Sequence, residues 1–374
     1  MRVLQLHNRY RQPGGEERAV AEITALLRSR GHSVELLERS SVDVGSATAA
    51  RGLVSGGIDP GEVEAAVRCT GAEVVHAHNL HPLLGWRALA AARRAGARTV
   101  LHLHNFRLFC AIAVAYRDGA RCFRCRGVDT RPGLRLRCRG SLAEAAAYAA
   151  GLSLAQRRLF SLVDRFVAVS AATQARLHEL GLPPGTSTVL HNFVPLRDRA
   201  AASRAGEGEY ALVTGRLVPE KGFDTAILAA RQAEVPLVIA GDGPDQGRLR
   251  ELADGGVRFT GRLAAGELAA VRARAAVVLV PSRWEEPCPF SVLDALAAGV
   301  PVLASSRGGL PELVDPGSIL PADDATAWAQ ALRRLWGDRR QLALRGQEAL
   351  QRARERHDEE IYLERLLAIY AGAR

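Results

Sequence analysis

The sequence predicts an α/β protein of two doubly wound, Rossmann-like domains. Three observations lead there. At 374 residues the chain is longer than one ordinary core organises. Short β-branched runs alternate with long Ala/Leu/Arg-rich amphipathic stretches, the pattern of βα units and of a parallel sheet covered on both faces. The alternation breaks once, at 191–208, in a run of Pro, Arg, Ala, Ser and Gly, and then restarts.

The first sheet is expected to take strands at Val3–Leu6, Val34–Leu37, Val74–His76, Thr99–Leu103, Phe166–Val169 and Thr188–Leu190. The second takes Tyr210–Thr214, Leu237–Ala240, Val257–Thr260, Val277–Val280 and Val302–Ala304. Charged, helix-forming sequence without strands fills the end of the chain. The expected division is a first domain over 1–195 with an insert at 105–140, a linker at 196–208, a second domain over 209–355, and a C-terminal helix at 356–374.

Composition excludes some classes. With 48% hydrophobic and 24% charged residues the chain is neither disordered nor membrane-embedded. The most alanine-rich stretch, Ser141 to Ala155, is interrupted by Glu144. The opening MRVLQLHN reads as a first buried strand and not a signal peptide, so a cytoplasmic protein is expected. A formal charge of +10 favours anionic partners: a sugar nucleotide, a lipid phosphate, an acidic bilayer or nucleic acid.

Open α/β sheets bind ligands outside the carboxyl ends of their strands. Polar and glycine-rich residues fall there. Gly14-Gly15 opens a helix after the first strand, and His104-Asn105 follows the fourth. In the second half Gly215-Arg216, Gly241-Asp242-Gly243-Pro244 and Pro281-Ser282-Arg283-Trp284-Glu285-Glu286 follow strands. Gly14 and Gly15 read either as an anion-binding turn or as a plain turn. No Gly-x-Gly-x-x-Gly follows the first strand, which counts against a dehydrogenase.

Lys221 is the single lysine among 50 lysines and arginines. Where arginine does every generic job, a surviving ammonium points to a task that a planar guanidinium does less well. Arg216 and Lys221 lie five residues apart after a strand and read as a clamp on a diphosphate. A second constellation is acidic. Glu286 precedes a helix expected to start near Pro289, and Asp294 lies within it. Glu286 is placed to accept from sugar hydroxyls and Asp294 from ribose hydroxyls; the plain alternative is a helix-dipole partner and a solvent-facing aspartate.

With these motifs on the page, the chain resembles a retaining glycosyltransferase of the GT-B type. The family is the one marked by two acidic residues eight apart, glycosyltransferase family 4, group 1. The match includes the first glycine loop, His104-Asn105, Gly-Arg-Leu-x-x-x-Lys-Gly, Gly-Asp-Gly-Pro, and the acidic pair followed by Ala-x-x-x-Gly-x-Pro-Val. The resemblance implies two Rossmann-like domains facing across a cleft, with the C-terminal helix, about Arg356–Ala371, crossing back to the first domain. It implies that Arg216 and Lys221 bind the donor diphosphate and that Gly14 and Gly15 border the phosphates. It further implies that Gly261 and Arg262 line the base, and that Glu286, with the helix start at Pro289, Phe290 and Ser291, meets the sugar. The family's second acid is usually glutamate; here it is Asp294, one methylene shorter.

His104 sits where the family has a histidine facing the donor sugar, and is expected to position the sugar and stabilise charge. In such a front-face transfer the leaving phosphate itself serves as base. His76, His78, His81 and His102 read as strand-end and interior histidines, because no carboxylate lies among them. The diphosphate clamp makes a catalytic metal unnecessary. Cys110, Cys122, Cys125 and Cys138 fall in the insert at a spacing suited to a four-cysteine structural zinc, with an arginine-rich surround. The plain alternative is a solvated loop with incidental thiols.

The expected activity moves a sugar from a UDP- or GDP-sugar to a cell-envelope glycan or lipid-linked acceptor, with peripheral contact at the inner face of an anionic membrane. One rival is a sugar-nucleotide epimerase or a synthase on the same fold. Another is a zinc-containing nucleic-acid-binding protein. That rival needs aromatics among the basic residues, but the stretch from Cys110 to Cys138 has only Tyr116 and Phe123. No nucleic-acid partner is therefore expected.

Overall fold

The computed structural model describes residues 1–10 and 14–372. Its strands in chain order are β1 (Arg2–Arg9), β2 (Ser33–Ser40), β3 (Val74–Ala77), β4 (Arg98–Leu103), β5 (Tyr116–Arg117), β6 (Ala120–Arg121), β7 (Arg165–Ala168), β8 (Ser187–Val189), β9 (Tyr210–Thr214), β10 (Leu237–Ala240), β11 (Val257–Gly261), β12 (Ala275–Val280), β13 (Val302–Ser305) and β14 (Ile319–Leu320). They form two six-stranded sheets, ordered β2-β1-β3-β4-β7-β8 and β11-β10-β9-β12-β13-β14, and one two-stranded hairpin, β5-β6. Ladders within both large sheets are parallel. Each sheet winds in two directions from its first strand, the doubly wound arrangement.

Burial explains the strand composition. Every residue of β12, Ala-Ala-Val-Val-Leu-Val, is buried, as expected of a central strand covered on both faces. In the first unit Leu4, Leu6, Val75, Leu101 and Phe166 pack with Leu89 and Leu159 of the flanking helices. In the second, Val213, Ile239 and Leu279 pack with Ile227, Trp328 and Leu332. Helix starts are capped as their sequences suggest: Ser170 accepts from the Thr173 N–H, Asp324 from Ala327 and Asp338 from Gln341.

The chain divides into two compact units. One holds Met1–Ala115, Cys122–His191 and the segment from Tyr362 onward; the other holds Tyr116–Arg121 and Asn192–Ile361. Three features differ from the sequence-based division. First, the expected linker at 196–208 belongs to the second unit and packs into it. Ala205 is buried, the Ser203 hydroxyl donates to the Gly299 carbonyl at 2.6 Å, and a Cβ on Gly208 would lie 2.3 Å from Ala276 backbone. Small residues there serve close backbone approach, which composition alone does not distinguish from flexibility. Second, the β5-β6 hairpin leaves the insert and groups with the second unit. Third, the last helix is Glu359–Ala371, and its residues from Tyr362 on group with the first unit, where the Tyr370 hydroxyl meets His76 Nδ1 at 2.7 Å.

Among the described residues no helix is long and apolar enough to cross a membrane.

Candidate active site

In the second unit the sheet order reverses between β9 and β12. The crevice outside the carboxyl ends of two such strands is where a doubly wound sheet binds its ligand. The segments following these strands are Gly215–Lys221 and Pro281–Glu286, and their side chains meet. Lys221 Nζ lies 2.5 Å from Glu286 Oε1, and the Ser282 hydroxyl donates to the same oxygen at 2.6 Å. Glu286 is 2% exposed and Ser282 1%, whereas the Lys221 side chain keeps about a quarter of its surface. Both bonds fall on Oε1, so among the described residues one carboxylate oxygen is fixed and Oε2 accepts no hydrogen bond. The Lys221 ammonium also stands 5.1 Å from the centre of the Trp284 ring.

Backbone nesting holds the loops that carry these groups. Gly215 N–H donates to the Ala240 carbonyl and Leu217 N–H to the Asp242 carbonyl. A Cβ on Gly241 would lie 1.8 Å from the Gly215 carbonyl oxygen, and one on Gly243 2.3 Å from that of Leu217. The Gly-Asp-Gly-Pro turn is thus the seat of the Gly-Arg-Leu turn, and only glycine allows the contact. Gly308, at φ +56°, is similarly pressed on Glu286: an added Cβ would fall 2.3 Å from its carbonyl oxygen. Gly309 N–H donates to that oxygen at 2.7 Å.

Arg216 is about half exposed and lies 3.6 Å from Glu220, a weak pair that a diphosphate can displace. Pro289 caps the helix Phe290–Ala297, and Phe290 and Ser291 open it. Asp294 is buried one turn further and pairs with Arg272 at 3.1 Å, so it is not the solvent-facing aspartate of the plain reading. Gly261 ends β11 at φ +71°, and Arg262 beyond it is exposed.

Sequence reasoning missed three of these partners. Ser282 sits four residues before Glu286 in the same post-strand run, a signal present but unused. Arg272 and Arg121 leave no local signal. Arg121, from the β5-β6 hairpin, donates to Glu285 Oε1 at 2.6 Å, while Glu285 Oε2 accepts from Gly308 N–H at 3.1 Å. Glu285 thereby ties the hairpin to the turn that holds Glu286. Arg121→Ala is expected to lower kcat/KM for donor about five-fold, a charge-assisted bond discounted for an arginine that is 43% exposed. Steady-state kinetics measures it, with partial recovery expected for Arg121→Lys; an unchanged kcat/KM would leave Arg121 without a role at the site.

In the first unit the order reverses between β1 and β3. The turn after β1 delivers Gly14, Gly15, Glu16 and Glu17. Gly14 caps the helix Gly15–Ser29, and its N–H donates to Glu17 Oε2 at 2.7 Å, while Tyr10 N–H donates to Glu17 Oε1 at 3.0 Å. Burial would raise the Glu17 pKa, but the His7 ring, 3.7 Å away, and the hydrogen bonds from these amides outweigh it and bring it down to about 2. Of the two amides expected to border phosphates, that of Gly14 is therefore held by a carboxylate of the same turn. Glu16 is buried, and its Oε2 accepts from the Tyr10 hydroxyl at 2.8 Å and Asn105 Nδ2 at 2.9 Å. Desolvation holds its proton more tightly than usual. A small cavity bounded by Tyr10, Glu16, His78, His81, His104 and Asn105 adjoins this network.

His104 directly follows β4. Its Nε2 lies 2.9 Å from His78 Nδ1, and His102 Nδ1 lies 3.3 Å from His76 Nε2. The alternation of β3 and β4 puts all four rings on one face. His102 and His104 stack at 4.3 Å and 17°, and His78 and His104 at 5.2 Å and 19°. His76, His78 and His102 bring ring nitrogens within 4.8 Å of one another, as a metal site would. Within this trio His102 stacks on His76 at 18° and on His78 at 20°, while His76 and His78 are tilted by 38°.

Burial depresses these histidines, His76, His81 and His104 to about 3 and His78 and His102 also well below the usual value. A histidine kept neutral in the folded state contributes stability above its unfolded pKa, near 6.5, and loses it as pH falls toward the folded value. Each such group removes at most about 1.4 kcal/mol per pH unit in that window, so together they rival the ~5–15 kcal/mol that holds a domain. The first unit is expected to unfold on acidification from pH 6.5 to 4.5, and His102→Asn to flatten the slope. Circular dichroism melts across pH measure this; a stability constant from pH 8 to 5 would contradict it.

Comparison with known proteins follows this geometry. Residues 13–198 match the model described as Glycosyltransferase Family 4, and residues 208–338 the one described as Glycosyl transferases group 1. A GDP-mannose-dependent alpha-mannosyltransferase of Mycolicibacterium smegmatis is 36% identical over 201 residues, 50% of this chain and 52% of the relative. A GDP-mannose-dependent alpha-(1-6)-phosphatidylinositol monomannoside mannosyltransferase of Mycobacterium tuberculosis is 41% identical over 155 residues, 36% of this chain and 39% of that one. The chain thus aligns with about half or less of these relatives' lengths. Among solved structures, Anabaena Alr3699/HepE in complex with UDP superposes with a TM-score of 0.69 at 18% identity, covering 99% of this chain and 100% of that one. Sucrose-phosphate synthase from Thermosynechococcus elongatus gives 0.73, also at 18% identity, covering 99% and 98%. These neighbours establish the GT-B fold. Matched in both halves, with the Lys221–Glu286 pair at the switch point of its second sheet, the chain belongs to glycosyltransferase family 4, group 1.

Proposed function

We propose that the chain is a retaining glycosyltransferase that moves a hexosyl group from a nucleoside-diphosphate sugar to a cell-envelope glycan or lipid-linked acceptor. The observation that carries this is the meeting of Lys221 and Glu286 at a switch point, because it sets a cation for phosphate beside a carboxylate oxygen for sugar hydroxyls. Arg216 and Lys221 take the diphosphate, and Glu286 Oε2 orients the sugar. Pro289, Phe290 and Ser291 present the helix start to it. Asp294, steadied by Arg272, takes the ribose hydroxyls, and Gly261 and Arg262 flank the base. Gly14 and Gly15 border the phosphates once Glu17 releases the Gly14 amide. His104 positions the sugar and stabilises charge through a neutral imidazole.

The leaving bond is C1–O to the diphosphate. The acceptor hydroxyl forms the new C1–O bond on the same face and gives its proton to the departing phosphate oxygen. Lys221 and Arg216 stabilise the charge that develops there. GDP-mannose is the first donor to test, because both relatives above are named for it. A net charge of +10 supports peripheral work at an anionic inner membrane face, where a lipid-linked acceptor is met. A structural zinc on Cys110, Cys122, Cys125 and Cys138 belongs to the same reading. Screening GDP-, UDP- and dTDP-sugars for thermal stabilisation and slow hydrolysis tests the donor class, and NMR of the first-formed anomer tests retention. Stabilisation by none of them, or release of the inverted anomer, would overturn the assignment.

A further inference from the structure

Lys221 takes its place from the segment that carries Glu286. It ends a three-residue 3-10 turn, Pro219–Lys221, which is too short to be rigid by itself. Its neighbours on both sides are tied to the run after β12. Arg283 N–H donates to the Glu220 carbonyl at 2.8 Å, and Arg283 Nη1 donates to the Pro219 carbonyl at 3.1 Å. On the other side Gly222, at φ +68°, is pressed on Pro281: an added Cβ would fall 2.1 Å from the Pro281 carbonyl oxygen. The backbone at Lys221 is thus fixed from both directions by Pro281 and Arg283. Ser282 lies between those two residues, and its hydroxyl fixes Glu286.

The Arg283 guanidinium is itself held on every nitrogen. Nε donates to Asp323 Oδ1 at 2.5 Å, Nη2 donates to Thr225 Oγ1 at 3.2 Å, and Nη1 lies 2.8 Å from Asp224 Oδ1. Its side chain is only 18% exposed, so water screens these contacts weakly. Asp224 and Thr225 belong to the first turn of the helix Phe223–Ala233, just after Lys221. The planar fork therefore grips the chain before Lys221 and the chain after it at once, which a single point charge does not do. We infer that Arg283 is a positioning residue that sets the Lys221 ammonium between Glu286 and the donor diphosphate. The inference rests on the assignment of Lys221 to that diphosphate. Arg283 acts through Lys221 and not by contact with the donor. Its effect on chemistry comes from alignment, where about 1 Å of misplacement costs about a hundred-fold in rate.

Lys221 is the single lysine of the chain, so lysine-selective ¹³C labelling gives one set of side-chain NMR signals and reads its place without substrate. In the native chain the Trp284 ring, 5.1 Å from Nζ, should move the terminal methylene signals away from the free-lysine position. Arg283→Ala should return them most of the way, in protein that still melts cooperatively. Arg283→Gln, which keeps an amide donor without the fork, should return them in part and stands in where the alanine variant does not fold. Calorimetry with GDP and UDP supplies the second readout. Arg283→Ala should weaken the nucleotide that binds by about five-fold, and by less than about two-fold in a Lys221→Ala background, because the two changes remove one interaction. A residue that only supports the fold would give the same loss in both backgrounds. Lysine signals unmoved in both Arg283 variants, or a nucleotide loss that persists in full without Lys221, would overturn the inference. Absence of binding to the native chain would instead remove the diphosphate assignment, and the lysine signals would still decide whether Arg283 places Lys221.

Discussion

Glu286→Gln is expected to lower sugar transfer by about three orders of magnitude, ~4 kcal/mol of transition-state stabilisation, while nucleoside diphosphate affinity stays within a few-fold. The substitution keeps the side chain's shape and removes its charge. One oxygen of Glu286 is fixed by Lys221 at 2.5 Å and Ser282 at 2.6 Å, so the other is held in a set direction before any sugar arrives. That preorganisation is what the charge contributes, since a carboxylate that strengthens its hydrogen bonds as C1 becomes cationic acts only on the transition state. Glutamine presents an amide NH₂ to Lys221, or turns it toward the sugar, and either choice loses one of the two interactions. Steady-state kinetics with calorimetric nucleotide binding measures both halves of the prediction. Unimpaired transfer, or a nucleotide affinity that falls with the rate, would show that Glu286 does not serve the sugar.

Lys221→Ala is expected to lower kcat about two to three orders of magnitude and to weaken nucleoside diphosphate binding, with partial recovery in Lys221→Arg. Two losses combine in this variant. The departing diphosphate loses its ammonium, and Glu286, almost wholly buried, loses the cation that compensates it. Removing one partner of a buried pair is costly because the other charge stays behind; here the lysine's partial exposure lets water soften the loss. The pair acts as a unit, so Lys221→Ala/Glu286→Gln should be little worse than the poorer single variant. Full additivity in the double-mutant cycle would separate the two side chains functionally.

What was legible in the sequence follows from where each signal resides. Local signals carried the strands: β9 and β10 fall where the apolar runs place them, and the post-strand glycines mark the turns that nest. Lys221 and Glu286 were visible because each sits just after a strand, and the sheet order then brings those strands side by side. Pairings across long separations were not legible. Arg121 and Glu285 are 164 positions apart and Tyr370 and His76 294 apart, and neither hairpin nor helix shows its partner in its own composition. The stretch 196–208 misled for a different reason: Ser, Ala and Gly suit a solvated linker and a tight backbone contact equally, and only the neighbouring Gly299 and Ala276 decide. Asp294 read as a free ribose ligand because Arg272 lies on another helix.

Calorimetric titration of GDP and UDP into the native chain, Lys221→Ala and Glu286→Gln tests the central claim most directly, since it needs no acceptor. The account predicts that at least one nucleoside diphosphate binds the native chain, that Lys221→Ala weakens it ten-fold or more, and that Glu286→Gln leaves it within a few-fold. Absence of binding to the native chain, or binding that Lys221→Ala spares and Glu286→Gln destroys, would contradict it.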